Sequence, residues 1–168
     1  YGGSFYNLYE LIERYIVDKK IKYYDNIEEK EKVITKEHIG IITGGMSKSV
    51  KATDKFNKVM LDENGVAKRI GIREDIRDKF NDGRVKILIG SSAIKEGIDL
   101  NKRAHTLYVL DSDFSPSNAM QLEGRIWRQG NMWEFVRIVY VLGRDSIDAF
   151  IYSKLQTKIN EIKVMLEE

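Results

Sequence analysis

The sequence predicts a three-layer α/β domain over residues 1–168, in which a mostly parallel central sheet is flanked by helices. Three nearly continuous apolar runs, typical of strands buried on both faces, carry this prediction: 85–89, 107–110 and 136–142. Stretches with apolar residues at helical spacing lie before and after these runs. Strands that alternate with helices favour right-handed βαβ connections, and 168 residues suffice for one such core.

Helical spacing of apolar residues predicts three amphipathic helices. They cover 5–16, 72–80 and 147–166. Ser4 precedes the first helix and Asp145 or Ser146 the last, where a short polar side chain caps a helix. Since domains of this kind usually open with a strand, we expect the first strand to lie upstream of the first helix.

The region between the first two predicted helices contains a strand and a polar stretch. The β-branched run 39–42 predicts a strand, and Gly44 with Gly45 marks the loop that ends it. The lysine-rich stretch 46–71 predicts one helix and a turn at 63–65.

The composition excludes several classes of protein. Cysteine is absent, so disulfides and thiolate metal sites are excluded. Lys and Arg number 28 against 26 acidic residues, a net charge of +2, which excludes a histone-like polycation but allows a local basic stripe along phosphates. No apolar stretch approaches the ~20 residues of a membrane span. We expect no membrane contact and a cytoplasmic setting, or a nuclear or virion one.

A first candidate cluster, SSAIKEGIDL at 91–100, follows the first apolar run, where open α/β sheets bind ligands. Ser91 and Ser92 can donate hydrogen bonds to a phosphate. Gly97 allows close backbone approach to a ligand, and Asp99 can take a ribose hydroxyl or orient water. A plain strand-to-helix turn with a capping serine explains the same residues equally well.

The second candidate cluster is QLEGRIWRQGN at 121–131. In a helix, Arg125 and Arg128 share one face, and Gln121 lies a further turn back. Two adjacent guanidiniums favour an anion between them, and a triphosphate suits their planar forks. A solvated basic face is the alternative, although a glycine on either side of the pair is unusual for a plain surface helix.

Several catalytic motifs are missing from the sequence. No G-x-x-x-x-G-K-[ST] phosphate loop occurs, since GGMSKS at 44–49 has a different spacing, and no apolar run ends in the paired acids that hold Mg²⁺. No Ser-His-Asp set or metal-ligand spacing is present, so we expect no metal ligands in this chain. His38 and His105 lie beside predicted strand starts, which favours structural roles.

The two clusters, in this order, resemble motifs V and VI of superfamily 2 helicases. The segment 111–131, DSDFSPSNAMQLEGRIWRQGN, resembles the Swi/Snf-type branch, and so does the tail 136–166 with its strand, turn and long helix. SSAIKEGIDL is also similar to helicases of large cytoplasmic DNA viruses, and RQGN with the tail to helicase-methylase proteins of mobile bacterial elements. The resemblance covers about 39–168 and implies a second, C-terminal RecA-like lobe.

The resemblance implies a role for each matching residue. Arg125 and Arg128 would be arginine fingers that reach ATP, which is bound with Mg²⁺ mainly on the first RecA-like lobe, and Gln121 would lie nearby in the interlobe cleft. Gly97 and Asp99 would couple the nucleotide to the nucleic-acid side. The residues implied to meet the nucleic-acid backbone are Thr43, Gly44, Gly45, Ser91 and Ser92.

The parent protein implied by the resemblance converts ATP hydrolysis into translocation, and the Swi/Snf likeness favours double-stranded DNA. Its N-terminal RecA-like lobe would complete the active site, so we expect this chain alone to be inactive. The alternatives are a non-catalytic nucleic-acid-binding module of the same fold and a scaffold domain for a partner protein.

Two features depart from the family pattern. The stretch 46–71 lengthens the usual spacing and is predicted to be an insertion, whose lysines extend a phosphate track or form a solvated surface. Asp99 stands where the Swi/Snf branch commonly has asparagine.

Overall fold

The computed structural model describes residues 6–25, 28–91, 94, 98–111 and 115–166. The chain forms two compact units, Tyr1–Ile98 and Asp99–Glu168. Ser4, predicted to cap the first helix, lies outside the described residues. No helix in the described part of the chain is long and apolar enough to cross a membrane.

The first unit combines two α-helices, one short 3₁₀ helix (Lys36–His38) and three pairs of strands in its described part. Its α-helices are α1 (Tyr6–Asp18) and α2 (Ile72–Asn81). Its strands are β1 (Lys22–Asp25), β2 (Lys30–Val33), β3 (Ile39–Ile42), β4 (Ser49–Lys51), β5 (Arg69–Gly71) and β6 (Ile87–Gly90). The helices predicted at 5–16 and 72–80 and the strands predicted at 39–42 and 85–89 are confirmed, with small shifts of their bounds.

The predicted apolar strands of the first unit form a parallel pair. β3 lies beside β6, with Ile39 opposite Ile87 and Ile42 opposite Gly90. Ile42 is completely buried, as expected of a strand in the core of an α/β fold. A methyl group on Gly40 would lie only 2.6 Å from a side-chain carbon of Ile76, so α2 packs directly on β3.

β1 and β2 form an antiparallel hairpin that the sequence patterns did not predict. Its strands are polar, and cross-strand ion pairs join them, with Lys22 2.8 Å from Glu31 and Lys32 2.7 Å from Asp25. Opposite charges on paired strands stabilise a sheet modestly. Because the hairpin has no apolar alternation, periodicity alone gave no signal for it.

The insertion 46–71 contains strands and hairpins, so the prediction of a helix there is wrong. Lysines at 48, 51, 55 and 58 imitate helical spacing, yet β4 and β5 pair as antiparallel strands. The predicted turn at 63–65 is confirmed, and Gly65 takes a φ of +75°, which a glycine adopts without strain. The tight turns of the two hairpins therefore make this stretch fold as β-structure, although the spacing of its lysines would suit a helix.

Three backbone hydrogen bonds close a ring at the centre of the insertion. The N–H of Ala52 donates to Lys68 O at 2.8 Å, that of Lys68 to Met60 O at 2.9 Å, and that of Met60 to Ala52 O at 2.9 Å. Ala52 is buried at this junction. The three residues are eight positions apart, so two short hairpins of equal length leave the ring one after the other.

The second unit also contains a parallel strand pair. Its described elements are β7 (Thr106–Val109), α3 (Pro116–Glu123), β8 (Arg137–Tyr140) and α4 (Asp148–Leu166). β7 pairs with β8 in parallel. The predicted strands and the final helix are thus confirmed, and Leu155 of α4 is completely buried.

A hydrogen bond joins β8 to α3 in the second unit. The hydroxyl of Tyr140 donates to Oε1 of Glu123 at 2.6 Å, and the Tyr140 ring lies 4.9 Å from that of Tyr152. Burial, followed by this bond to a carboxylate, raises the pKa of Tyr140 far above its ordinary value. Tyr140 therefore stays protonated and fixes the end of α3 beside β8.

Candidate functional site

The two arginines of the second cluster lie in turns after α3. Ser115 caps the start of α3 by accepting a hydrogen bond from Asn118, and the helix ends at Glu123. Residues 124–130 form turns, so the prediction that Arg125 and Arg128 share a helical face is wrong. Gly130 has a φ of +92°, which a helix cannot contain.

Asp99 brings the two arginines together. Its Oδ1 lies 2.5 Å from Nη1 of Arg128 and 3.7 Å from Nη1 of Arg125. The side chains of Asp99 and Arg128 are more than half exposed, whereas that of Arg125 is 22% exposed. Sequence reasoning had expected a phosphate between the guanidiniums, and in the structure a carboxylate supplies the negative charge. An ion pair this exposed stabilises the fold by only ~0–1 kcal/mol, so its main effect is orientation.

Asn131 holds residues 124–130, here called the arginine turn, in place, although no role was predicted for it. Its Nδ2 donates to Ala104 O at 2.9 Å and to Ile126 O at 2.8 Å, and its Oδ1 accepts from the N–H of Trp133 at 2.9 Å. Ile126, between the two arginines, is buried. An asparagine directly after a glycine in a loop was the available signal, since its amide both donates to and accepts from the main chain.

Asn101 adds a second attachment of the same kind. Its Nδ2 donates to Gln129 O at 3.0 Å, which ties the turn to the segment that begins at Asp99. The indole N–H of Trp133 likewise donates to Arg103 O at 3.0 Å. Side chain to backbone hydrogen bonds thus keep the carboxylate and the guanidiniums at fixed positions.

The side chain of Gln121 forms a hydrogen bond within α3. Its amide donates to Oγ of Ser117 at 3.4 Å, one turn earlier in α3, and the side chain is exposed. Gly97 and Ser92 lie outside the described residues. The expected roles of these three residues stay predictions.

The predicted nucleic-acid residues of the first unit lie at one edge of the parallel pair. Thr43 and Ser91 directly follow β3 and β6, and the N–H of Ser91 donates to Ile42 O at 3.1 Å. Parallel strands end at the same edge, so the structure brings these two residues to neighbouring positions. Gly44 and Gly45 are exposed, and a methyl group on Gly44 would meet no atom within 4 Å.

Arg73 supports this edge and was not predicted. Its Nη2 donates to Thr43 O at 2.8 Å and also to Gly44 O. The side chain reaches the loop from the first turn of α2, thirty positions along the chain. Only the packing of α2 on β3 makes the contact, so the sequence carried no local signal for it.

A cavity of about 470 Å³ opens beside the same loop. Thr43, Gly45 and Lys48 line one part of it. The helices and the strand around the loop complete the lining with Tyr9 and Glu10 of α1, Ile41 of β3 and Ile72 of α2. The loop after β3 therefore borders open space.

Both histidines take part in structural contacts. His38 Nε2 lies 3.2 Å from the hydroxyl of Tyr23, and its Nδ1 accepts from the N–H of Thr35 at 3.1 Å. The ring of His105 packs edge-on against Trp133 at 5.1 Å. Among the described residues, no three His, Cys, Asp or Glu side chains converge in an arrangement that could hold a metal ion.

Comparison with known proteins identifies the class to which this fold and site belong. Residues 7–130 match the family described as helicase conserved C-terminal domain, a segment that includes the loop after β3 and both arginines. The chain therefore belongs to the helicase C-terminal domain family. The crystal structure of the C-terminal part of the Fun30 ATPase domain has the same fold, with a TM-score of 0.56 and 19% identity over 90% of this chain and 36% of that one. This confirms the RecA-like α/β fold.

Two curated relatives are similar in sequence to parts of this chain. The chain is 33% identical over 81 residues to "Chromodomain-helicase-DNA-binding protein 1-like" of Danio rerio, which is 48% of this chain and 8% of the relative. It is also 29% identical over 97 residues to "Defense against restriction protein B" of Escherichia phage P1, which is 58% of this chain and 4% of the relative. The chain thus spans less than a tenth of either relative. The resemblance to the C-terminal lobe of Swi/Snf-type superfamily 2 helicases is confirmed.

Proposed function

We propose that this chain is the second motor lobe of an ATP-dependent DNA helicase or translocase. In this role, Arg125 and Arg128 act on ATP, and the strand-end loops form half of a nucleic-acid groove. The observation that carries the proposal is the convergence of both arginines on Asp99 in a fixed, exposed turn. A solvated basic face needs neither the shared carboxylate nor the attachments through Asn101 and Asn131.

The arginine turn suits a polyphosphate. Arg128 is half exposed, so its guanidinium can leave Asp99 and donate two hydrogen bonds to phosphate oxygens at little cost. Arg125 is more enclosed and presents a positive charge from a fixed position. ATP with Mg²⁺, held mainly by the N-terminal lobe of the parent chain, supplies the phosphoryl group. Preorganised positive charge then stabilises the negative charge that develops during its transfer. Gln121 and Gly97 are further proposed nucleotide-side residues.

The edge formed by Thr43, Gly44, Gly45 and Ser91 suits a nucleic-acid backbone. Small hydroxyl side chains and accessible main-chain groups bind phosphates without reading bases. Gly44 adjoins open space, and Arg73 places a positive charge directly beneath the loop. Ser92 extends the proposed set. Double-stranded DNA is the proposed track, because a relative is named as a helicase and DNA-binding protein.

The proposed division of labour has a further consequence for the isolated chain. It contributes arginines, whereas its sequence contains no phosphate loop and no paired acids for Mg²⁺. We therefore expect the isolated chain to show no appreciable ATP turnover. We also place the parent protein in the cytoplasm, or in the nucleus or virion of a eukaryotic or viral source.

The decisive experiment measures DNA-stimulated ATP hydrolysis by the full-length protein that carries this chain. Arg125→Ala and Arg128→Ala should each lower turnover by roughly 10³–10⁵-fold, the effect of removing an arginine finger. DNA affinity should change much less. Arg144→Ala is the matched control, since Arg144 is exposed in the same unit, and it should leave turnover unchanged.

Near-normal turnover in both arginine variants would refute the motor role. If such variants also kept salt-dependent DNA binding, the non-catalytic nucleic-acid-binding module would be the better assignment. Loss of both turnover and folding, detected as a lower melting temperature, would show that the arginines are structural instead.

A further inference from the structure

The two hairpins of the insertion are built on the same turn. In the first, Oδ1 of Asp54 accepts from the N–H groups of Phe56 and Lys58, both at 2.9 Å. In the second, Oδ1 of Asp62 accepts from those of Asn64 and Val66, again at 2.9 Å. The backbone N–H groups of Asp54 and Asp62 also donate to the equivalent carbonyls, Lys58 O and Val66 O.

The fourth position of each turn completes the likeness. Asn57 and Gly65, eight positions apart, have φ values of +62° and +75°. Asparagine and glycine are the residues that most readily take this left-handed conformation. The insertion therefore holds two hairpins with the same backbone turn and different side chains, which makes each a natural control for the other.

The tips of the hairpins differ in charge and in aromatic character. The first hairpin, 53–59, carries two lysines and one aspartate, whereas the second, 61–67, carries one aspartate and one glutamate. Phe56 stands at the first tip and Asn64 at the same turn position of the second. Phe56 is 71% exposed, and Nζ of Lys55 lies 5.0 Å from the centre of its ring.

The first tip is also fastened to the body of its unit. Nη1 of Arg84 donates to Thr53 Oγ1 at 2.9 Å and to Asn57 Oδ1 at 3.0 Å. Arg84 is paired with Asp82 at 2.6 Å, and its side chain is only 17% exposed. An exposed phenylalanine on an anchored turn is thus held out in solvent at a fixed position.

The insertion begins beside the edge proposed to meet nucleic acid. Ile72 N–H donates to Lys48 O at 2.9 Å, so both ends of the insertion meet between the loop after β3 and the start of α2. The first tip, however, is held by Arg84, which precedes the start of β6, whereas Ser91 follows its end, so the tip lies toward the other end of this strand pair. Positive charge beside an exposed aromatic is the combination that binds unpaired nucleic acid.

We propose that the first hairpin tip contacts an unpaired nucleobase, with Phe56 stacked on the base and Lys55 and Lys58 beside the adjoining phosphates. This inference rests on the proposed nucleic-acid binding and adds to it a contact outside the edge formed by Thr43 and Ser91. Stacking requires an open base face, which a paired duplex presents only at its ends. The tip therefore favours a single strand or a strand junction over continuous duplex.

The test uses the full-length protein with fluorescently labelled single-stranded DNA and a closed-end hairpin duplex of the same base composition. Phe56→Ala should lower single-strand affinity by roughly 5- to 150-fold, the range of one aromatic–base stack. In the same variant, the loss of duplex affinity should be at least several-fold smaller than the loss of single-strand affinity. Phe56→Trp should retain single-strand affinity, because the larger ring still stacks.

Asn64→Ala at the equivalent position of the second hairpin is the matched control and should change neither affinity. A melting temperature equal to that of the unmodified protein confirms that each variant folds. Lys55→Gln should reduce the dependence of single-strand binding on salt, with a slope change of roughly 0.7, and Glu63→Gln should not.

Three results would overturn the proposal: unchanged single-strand affinity in Phe56→Ala, equal losses for single strand and duplex, or no measurable single-strand binding by the unmodified protein. A protein-docking role for the tip would give the first of these. None of them depends on ATP turnover, so failure here is distinguishable from failure of the motor assignment, which is measured on the arginine variants.

Discussion

The two candidate sites of this chain differ in the groups that form them: mainly main-chain groups in one and charged side chains in the other. At the strand-end edge of the first unit, the main chain and small side chains of Thr43, Gly44 and Ser91 form the surface, and strand register positions them. In the arginine turn of the second unit, long charged side chains form the surface, and hydrogen bonds from Asn101 and Asn131 position the turn.

This difference predicts different sensitivities to mutation. A site made of main chain fails when the packing beneath it fails, since the groups themselves cannot be removed by substitution. A site made of charged side chains fails when a single side chain or its counter-ion is removed, while the fold stays intact. Four sets of substitutions test this comparison, in descending order of expected effect.

The largest effect is expected at Asp99. Asp99→Ala in the full-length protein removes the carboxylate that Arg128 contacts at 2.5 Å and that lies 3.7 Å from Arg125, so the guanidinium of Arg128 in particular loses its orientation. Misplacement of about 1 Å costs on the order of 10²-fold in rate. We expect turnover to fall by about that factor, whereas stability falls by only ~0–1 kcal/mol. Asp99→Asn keeps an acceptor oxygen and should lose less turnover. Equal turnover in Asp99→Ala and the unmodified protein would contradict the positioning role.

The next effect is expected at Asn131. Asn131→Ala removes three hydrogen bonds to the main chain, each contributing about 1 kcal/mol, so denaturant unfolding should report a loss of roughly 2–3 kcal/mol. Asn131→Asp keeps the acceptor for Trp133 but sets a carboxylate oxygen against the two carbonyl oxygens, so it should lose at least as much stability. If both variants were as stable as the unmodified protein, the turn would be held by packing of Ile126 alone.

Gly40 and Gly44 form the matched pair for the first unit. Gly40→Ala places a methyl group 2.6 Å from Ile76 and 3.2 Å from Val85, so overpacking should cost about 1–3 kcal/mol of unfolding free energy. Gly44→Ala meets open space and should change it by less than about 0.5 kcal/mol. Thermal unfolding in parallel measures both. The reverse order would show that the loop, not the strand packing, sets this edge.

The smallest effect is a pH dependence from His38. Burial, then the nearby charge of Lys86, lowers the pKa of His38 below its ordinary value of 6.5, against the opposing effect of Glu37. The unfolded chain therefore binds a proton more readily, and stability falls as the pH falls below about 6.5. Protonation of Nδ1 would also end its acceptance from the N–H of Thr35.

Denaturant unfolding of the unmodified protein and of His38→Gln at about pH 7.5 and about pH 5 tests this. The stability advantage of the histidine should shrink at the lower pH. A constant difference between the two proteins would show that His38 does not titrate in this range.

How much of the fold the sequence predicted depended on the type of element. Apolar strands such as β3 and β6, and helices such as α2, were predicted because burial imposes a period on their residues. The β1–β2 hairpin was not, since its ion pairs become visible only when the strands lie side by side. The helix predicted in the insertion is absent, because the aspartate turns at Asp54 and Asp62 reverse the chain twice, and these repeated aspartates are a readable turn signal in the sequence.

Among the site residues, the sequence by itself determined the identity of the arginine pair, because a guanidinium carries its chemistry wherever the backbone places it. Only the tertiary structure decided that Asp99 is their counter-ion, that Asn131 holds their turn, and that Arg73 lies beneath Thr43. These partners are 26 to 30 positions apart or meet through a folded turn, and no local pattern encodes such meetings. The physical reason is that each residue carries its charge and shape in any conformation, whereas the orientation of its side chain is set by contacts that form only when the chain folds.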